Sequence, residues 1–131
     1  MKKDIHFPEV KDVYIAVVHE YNEVYRVYDW NAYIINDKSV ALDMVIVVTK
    51  GSLGDKITTT FRKKIDALPA KSFAKIEMIQ EAVLSMNNVF NVSFFENKNL
   101  FEKRFEFHKN SIHKQALKDI PLMSLKGVLK T

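Results

Sequence analysis

The chain has 131 residues, with 20 Lys plus Arg against 16 Asp plus Glu, three glycines, three prolines and no cysteine, which predicts one domain spanning 1–131 and excludes a multidomain enzyme. At 47% apolar and 27% charged it matches the globular average, so a disordered chain, a collagen-like repeat and a bundle of membrane spans are excluded. Without cysteine there is no disulfide framework and no thiolate metal, iron–sulfur or nucleophile chemistry.

Val, Ile, Thr and the aromatics supply about a third of the residues, the types that suit a pleated, half-buried surface. The start, Met1 to Pro8, has basic residues but no apolar run behind them, which argues against a secretory signal and makes the cytoplasm the expected location. Val13, Ile15 and Val17 then alternate with Tyr14, Ala16 and Val18, a strand apolar on both faces. Tyr21-Asn22-Glu23 reads as a turn. From Val24 to Asn36 one face carries Val24, Tyr28, Trp30, Ala32 and Ile34, and the other Asp29, Asn31, Tyr33 and Ile35, which predicts the longest strand, with a bulge near Asp29.

Asn36-Asp37-Lys38-Ser39 is a turn cluster, followed by a buried strand in which Leu42, Met44, Ile46 and Val48 share a face. Gly51 and Gly54 mark a loop from Lys50 to Asp55, and Ile57, Thr59 and Phe61 alternate after it. The stretch from Ala70 to Met86 carries both a strand pattern (Ala74, Ile76, Met78) and a helical one (Phe73, Ile76, Ile79, Val83, Met86). A strand to Ile79 and a short helical turn from Gln80 to Ser85 is favoured, because the neighbouring segments need a sheet partner. Phe90, Val92 and Phe94, then Phe101, Phe105 and Phe107, form the clearest hairpin. The tail ends in Leu122, Leu125, Val128 and Leu129, one last short strand. Seven to eight short strands separated by Asn, Asp and Gly turns predict an all-β antiparallel sandwich with at most a short helical turn.

Two stretches, Asp29-Trp30-Asn31-Ala32-Tyr33-Ile34-Ile35-Asn36-Asp37 and Leu68-Pro69-Ala70-Lys71-Ser72-Phe73-Ala74-Lys75-Ile76-Glu77, resemble uncharacterised bacterial immunoglobulin-like sandwich domains. Relatives of that kind occur beside Smr-type nuclease domains or are labelled phenylalanyl-tRNA synthetase subunits. The resemblance implies an immunoglobulin-like fold and no activity, since adenylate-forming motifs and a catalytic domain do not fit in this chain. Trp30 stands without the flanking cysteines of antibody domains.

No constellation of residues carries catalysis. His108 and His113 are five apart, whereas a metal pair wants four on a helix or two on a strand, so no metal and no cofactor are expected. His19 beside Glu20 reads as an edge residue. Ser52 in Lys50-Gly51-Ser52-Leu53-Gly54 lacks the nucleophile-elbow frame, and the loop lacks the terminal Gly-Lys-Ser/Thr of a phosphate cradle. The acids Asp29, Asp37, Asp43 and Asp55 read as solvated loop carboxylates.

Charge is uneven along the chain. The first 48 residues carry 5 basic and 8 acidic groups, residues 49–75 carry 7 and 2, 76–97 carry 0 and 3, and 98–131 carry 8 and 3. Arg62, Lys63, Lys64, Lys103 and Arg104 lie next to Phe61, Phe101, Phe105 and Phe107, a basic and aromatic mixture suited to phosphates and bases of RNA or tRNA. Alternation, however, puts Phe101, Phe105 and Phe107 together on one face, as a core stripe demands. Tyr14, Tyr21, Tyr25, Tyr28 and Tyr33 crowd the first quarter of the chain, and aromatics of this kind favour interfaces. The expected function is a non-catalytic interaction module that binds a protein partner or a second copy through a sheet face or edge. Tyr25 and Tyr33, read as opposite Trp30, are its candidate surface, and an RNA-binding accessory domain is the alternative.

Overall fold

A computed structural model describes residues 9–58 and 60–131. Among them the alternating segments form ten strands: β1 (Val13–Asn22), β2 (Val27–Asn36), β3 (Leu42–Leu53), β4 (Lys56–Ile57), β5 (Phe61–Leu68), β6 (Ser72–Ile79), β7 (Asn87–Glu96), β8 (Asn99–Phe107), β9 (Lys118–Asp119) and β10 (Lys126–Lys130). One helical turn, α1 (Glu81–Leu84), links β6 to β7, so the 70–86 stretch is a strand followed by a turn of helix. No described helix is long and apolar enough to cross a membrane.

Strands β6, β2, β1, β10 and β9 form the first sheet in that order, all antiparallel. In the second sheet β7 runs along one edge of β3 from Asp43 to Ser52 and pairs with β8 on its far side, so β4 and β5 share the other edge of β3. The inner faces meet in one apolar layer in which Val13, Ile15, Val17, Trp30 and Ile34 pack against Val45, Val47, Phe90, Phe94 and Phe107, an all-β sandwich. Phe105 and Phe107 are buried and Phe101 stacks on Phe94 at 5.2 Å, as their alternation predicts.

Several boundaries differ from the sequence reading. The first turn is Glu23–Arg26, and β2 begins at Val27 because Asn22 pairs with Val27. Gly51 and Ser52 lie within β3, and the turn is Gly54-Asp55 alone, where Gly54 takes the positive φ of +59° that a two-residue hairpin asks of its first central residue. The run from Ile57 to Arg62 is divided between β4 and β5; Thr59 within it, like the segment Met1–Pro8, lies outside the described residues.

Two bulges reassign faces. In β3 the register slips between Asp43 and Ile46, with Met44 at φ 49°, so Leu42, Val45 and Val47 point inward and Met44 is left exposed. The irregularity in β2–β6 pairing is at Ala32/Tyr33, not near Asp29.

The two stretches that carry the family resemblance lock together. Asn36, fully buried, donates from Nδ2 to the carbonyls of Val40 (2.9 Å), Leu68 (3.2 Å) and Pro69 (2.9 Å), and its Oδ1 accepts from the Lys38 amide. Lys71 Nζ reaches the Asp37 carbonyl and carboxylate, and Ser72 Oγ donates to the Pro69 carbonyl. On the outer face of the first sheet, Ile120, Met123 and Leu125 fold back over Ala16, Val18 and Ile35, making a second small core.

Candidate interaction surface

The β1–β2 hairpin outruns its neighbours. Strand β10 pairs with β1 only from Ile15 to Val18, and β6 pairs with β2 only from Trp30 onward. His19–Asn22 and Val27–Asp29 therefore form a two-stranded arm with neither outer edge paired among the described residues.

Because side chains alternate, the inner face of the arm continues the line of the core. Trp30 is buried. His19, its cross-strand partner, packs on it at 4.5 Å and stacks on Tyr28 at 4.8 Å, and Tyr21 meets Tyr28 edge-on at 5.3 Å. The ladder thus runs from the core into solvent, ending at Tyr28 (61% exposed) and Tyr21 (50%), where the opposite sheet no longer covers it. Burial holds His19 below its ordinary value, and the Lys114 ammonium adds to this while Glu81 opposes it, so the ring is neutral at pH 7.

The outer face is polar and acidic. Glu20 Oε1 accepts from Asn31 Nδ2 at 2.7 Å and from the Tyr33 hydroxyl at 2.6 Å, and Asn22 Nδ2 donates to Asp29 at 2.9 Å. At the tip, Asn22 Oδ1 accepts from the amides of Val24 and Tyr25, the local closure that favours Asn at turns, and this holds both side chains outward at 83% and 76% exposure.

Tyr25 and Tyr33 are consequently not one patch. Tyr25 belongs to the turn and to neither sheet face, while Tyr33 lies six residues beyond the start of β2, about 20 Å along the strand. There Tyr33 is half-buried with the second core, its phenol pushed up by burial and by its bond to Glu20. The exposed aromatic surface is instead Tyr21, Tyr25 and Tyr28 with Val24 and Val27.

The five basic residues also divide. Arg62 and Arg104 end one cross-strand row, Arg62–Val48–Asn91–Arg104, and Lys64 begins the next, Lys64–Ile46–Ser93–Glu102, so these three share the outer face of the second sheet. A shallow depression of about 570 Å³ lies over the middle of both rows. Lys63 and Lys103 fall on the inward side at opposite edges; Lys103 Nζ lies 5.1 Å over the Phe105 ring and donates to the Thr131 carbonyl. Acids interrupt the face, with Glu106 2.9 Å from Arg104 and Asp66 3.8 Å from Lys64.

His113 Nδ1 is 3.2 Å from Gln115 and His108 4.0 Å from Glu106, and no group of three metal-ligating side chains occurs among the described residues. Ser52 is paired within the sheet to Ile57 and Asn87. Compared with known proteins, the chain matches no family model and none of the curated proteins.

Proposed function

We propose that this is a cytoplasmic, non-catalytic interaction module of the immunoglobulin-like sandwich class, and that its binding element is the β1–β2 arm. The fold assignment is supported by strand order: β1, β2 and β6 adjoin in one sheet and β3, β7 and β8 in the other, as strands A, B, E and C, F, G do in immunoglobulin domains. A departure is that Trp30 sits on the second strand rather than the third.

The observation that carries the functional reading is the arm itself, with five large apolar side chains in solvent on a ribbon whose two edges are unpaired among the described residues. Monomeric proteins usually blunt such edges. A protein partner gains affinity by burying Tyr21, Tyr25 and Tyr28, rigid side chains typical of interface anchors, and by adding backbone hydrogen bonds along an edge. A second copy of the chain meets the same requirements.

The test is the triple variant Tyr21→Ser, Tyr25→Ser, Tyr28→Ser, with Tyr33→Phe as a control. Sedimentation over a concentration series and crosslinked partner capture should show association in the wild type and in Tyr33→Phe, and loss of it in the triple variant. Equal association by a folded triple variant overturns the reading.

A second reading, an RNA- or tRNA-binding accessory domain, rests on Arg62, Lys64 and Arg104 sharing one face. It predicts tRNA binding that weakens severalfold between about 50 and 200 mM salt.

A further inference from the structure

Where β6 ends, a cavity of about 400 Å³ opens between the two sheets beside α1. Its volume is that of small-ligand sites. Glu77 and Ile79 line it from the first sheet, Thr49, Lys50, Asn88 and Phe90 from the second, and Val83 of α1 from the end; Lys50 is exposed and makes no ion pair with Glu77.

The cavity owes its chemistry to the bulge in β6. Strict alternation from Ala74 and Ile76 would send Glu77 outward, but the register slip sets Glu77 opposite Ala32, an inward position. Its Oε2 accepts from the hydroxyl of Thr49, itself 6% exposed on the opposite sheet, at 2.5 Å. The other carboxylate oxygen has no donor among the described residues, and no Lys, Arg or His there forms an ion pair with Glu77. Close packing beside the cavity depends on Gly51, where a Cβ would lie 3.1 to 3.4 Å from Thr58, Asn88 and Val83.

A half-buried carboxylate with no ion-pair partner among the described residues, in a cavity where Lys50, Thr58 and Gln80 share the lining with Ile79, Val83 and Phe90, suits one kind of group. An ammonium brings three donors and no acceptor, and an alkyl stem behind it packs against Ile79, Val83 and Phe90. We propose that this cavity binds an alkylammonium group through Glu77, independently of the arm. The chemistry is shared by a free aliphatic amine and by a lysine side chain.

The experiment follows backbone amide shifts of the isotope-labelled protein on addition of butylamine, Nα-acetyl-lysine methylamide and butanol. The expected result is saturable shifts at Thr49, Gly51, Glu77, Val83 and Asn88 with butylammonium at millimolar concentration, and none with butanol. Shifts with the capped lysine as well identify a side chain as an acceptable source; shifts with butylammonium alone identify a free amine. Glu77→Gln, which keeps a partner for Thr49, should weaken binding about tenfold or more. Val83→Phe fills the cavity from α1 and should abolish binding without removing the charge, which keeps the test decisive if Glu77→Gln unfolds. Absence of saturable shifts, equal binding of butanol, or unchanged binding in a folded Glu77→Gln or Val83→Phe variant overturns the proposal.

Discussion

Replacing Asn36 by Ala tests the contact that ties the two sheets' connections together. The side chain is fully buried and serves four backbone groups: the carbonyls of Val40, Leu68 and Pro69 and the amide of Lys38. Its Nδ2 has two hydrogens, so the 3.2 Å contact to Leu68 shares one of them, and the effective count is three hydrogen bonds. At a net value of about 1 kcal/mol each this amounts to about 3 kcal/mol, a large part of the 5–15 kcal/mol of a typical domain. The Leu68 carbonyl, deepest of the four, is left without its donor, so the loss should not fall far below that figure. Urea denaturation followed by tryptophan fluorescence reads this directly, since Trp30 is on the same strand. Asn36→Asp is the sharper control: it has nearly the same shape but sets a carboxylate against three carbonyl oxygens, and should be at least as damaging as Ala. A loss under about 1 kcal/mol for Ala with an unchanged denaturant slope, or an Asp variant more stable than the Ala one, would refute the network's role.

Gly127→Ala should be among the most damaging single-methyl changes in the chain, at about 2 kcal/mol or more, because the new Cβ would lie 2.6 Å from the Val17 carbonyl oxygen and 2.9 Å from Val18 Cα, backbone atoms that cannot turn aside. Thermal melting checks this, and a variant as stable as wild type contradicts the close β1–β10 approach. His19 makes the arm sensitive to acid: its folded-state value is below the 6.5 of the free side chain, so the unfolded chain holds that proton more tightly. The stability associated with neutral His19 is complete above about pH 6.5 and is lost as pH falls through the folded value. Titration of the His19 ring by NMR should give a midpoint below 6.5, and a midpoint at or above it would contradict the stacked, partly desolvated position.

How much of this was legible in the sequence depended on whether a feature is local. Alternation in Val13–Val18 and Phe90–Phe107 placed strands and core aromatics correctly, and Gln80 to Ser85 contains the short helix α1. Bulges were hidden, because two residues opposing one is decided by the partner strand; Met44 and Glu77 each continue a regular pattern that their neighbours interrupt. Tyr33 reads as an open surface residue because nothing near it in sequence signals its bond to Glu20, its contact with Phe73 on β6, or the second core, completed by Ile120, that it packs against. Conversely, Tyr21 and Tyr28 repeat the period of Val17 and Trp30 without a break. Their exposure follows from where the facing sheet ends, a property of no single strand.

For the binding role proposed for the arm, its rigidity should matter more than its exposed area. A two-stranded hairpin alone is marginal in water, yet this one is anchored at three levels: the ring ladder rooted in buried Trp30, the Glu20 network on the outer face, and Asn22 across the turn. Glu20 and Asp29 face each other across the strands, an unfavourable like-charge pair that the donors Asn31, Tyr33 and Asn22 offset. Held this way, Tyr21, Tyr25 and Tyr28 lose little freedom on binding, which is where preorganised sites gain affinity. Asn22→Ala separates preorganisation from contact area, because it alters no exposed aromatic. Losing its turn and cross-strand bonds should loosen the tip by about 1 kcal/mol, roughly fivefold faster amide exchange at Val24, Tyr25 and Arg26 with the global melting point nearly unchanged. If the arm binds as a prebuilt element, association through it should weaken by a similar factor. Faster exchange with undiminished association would mean that the tyrosines act as separate anchors on a flexible tip, and unchanged exchange would mean that Asn22 does not hold the turn.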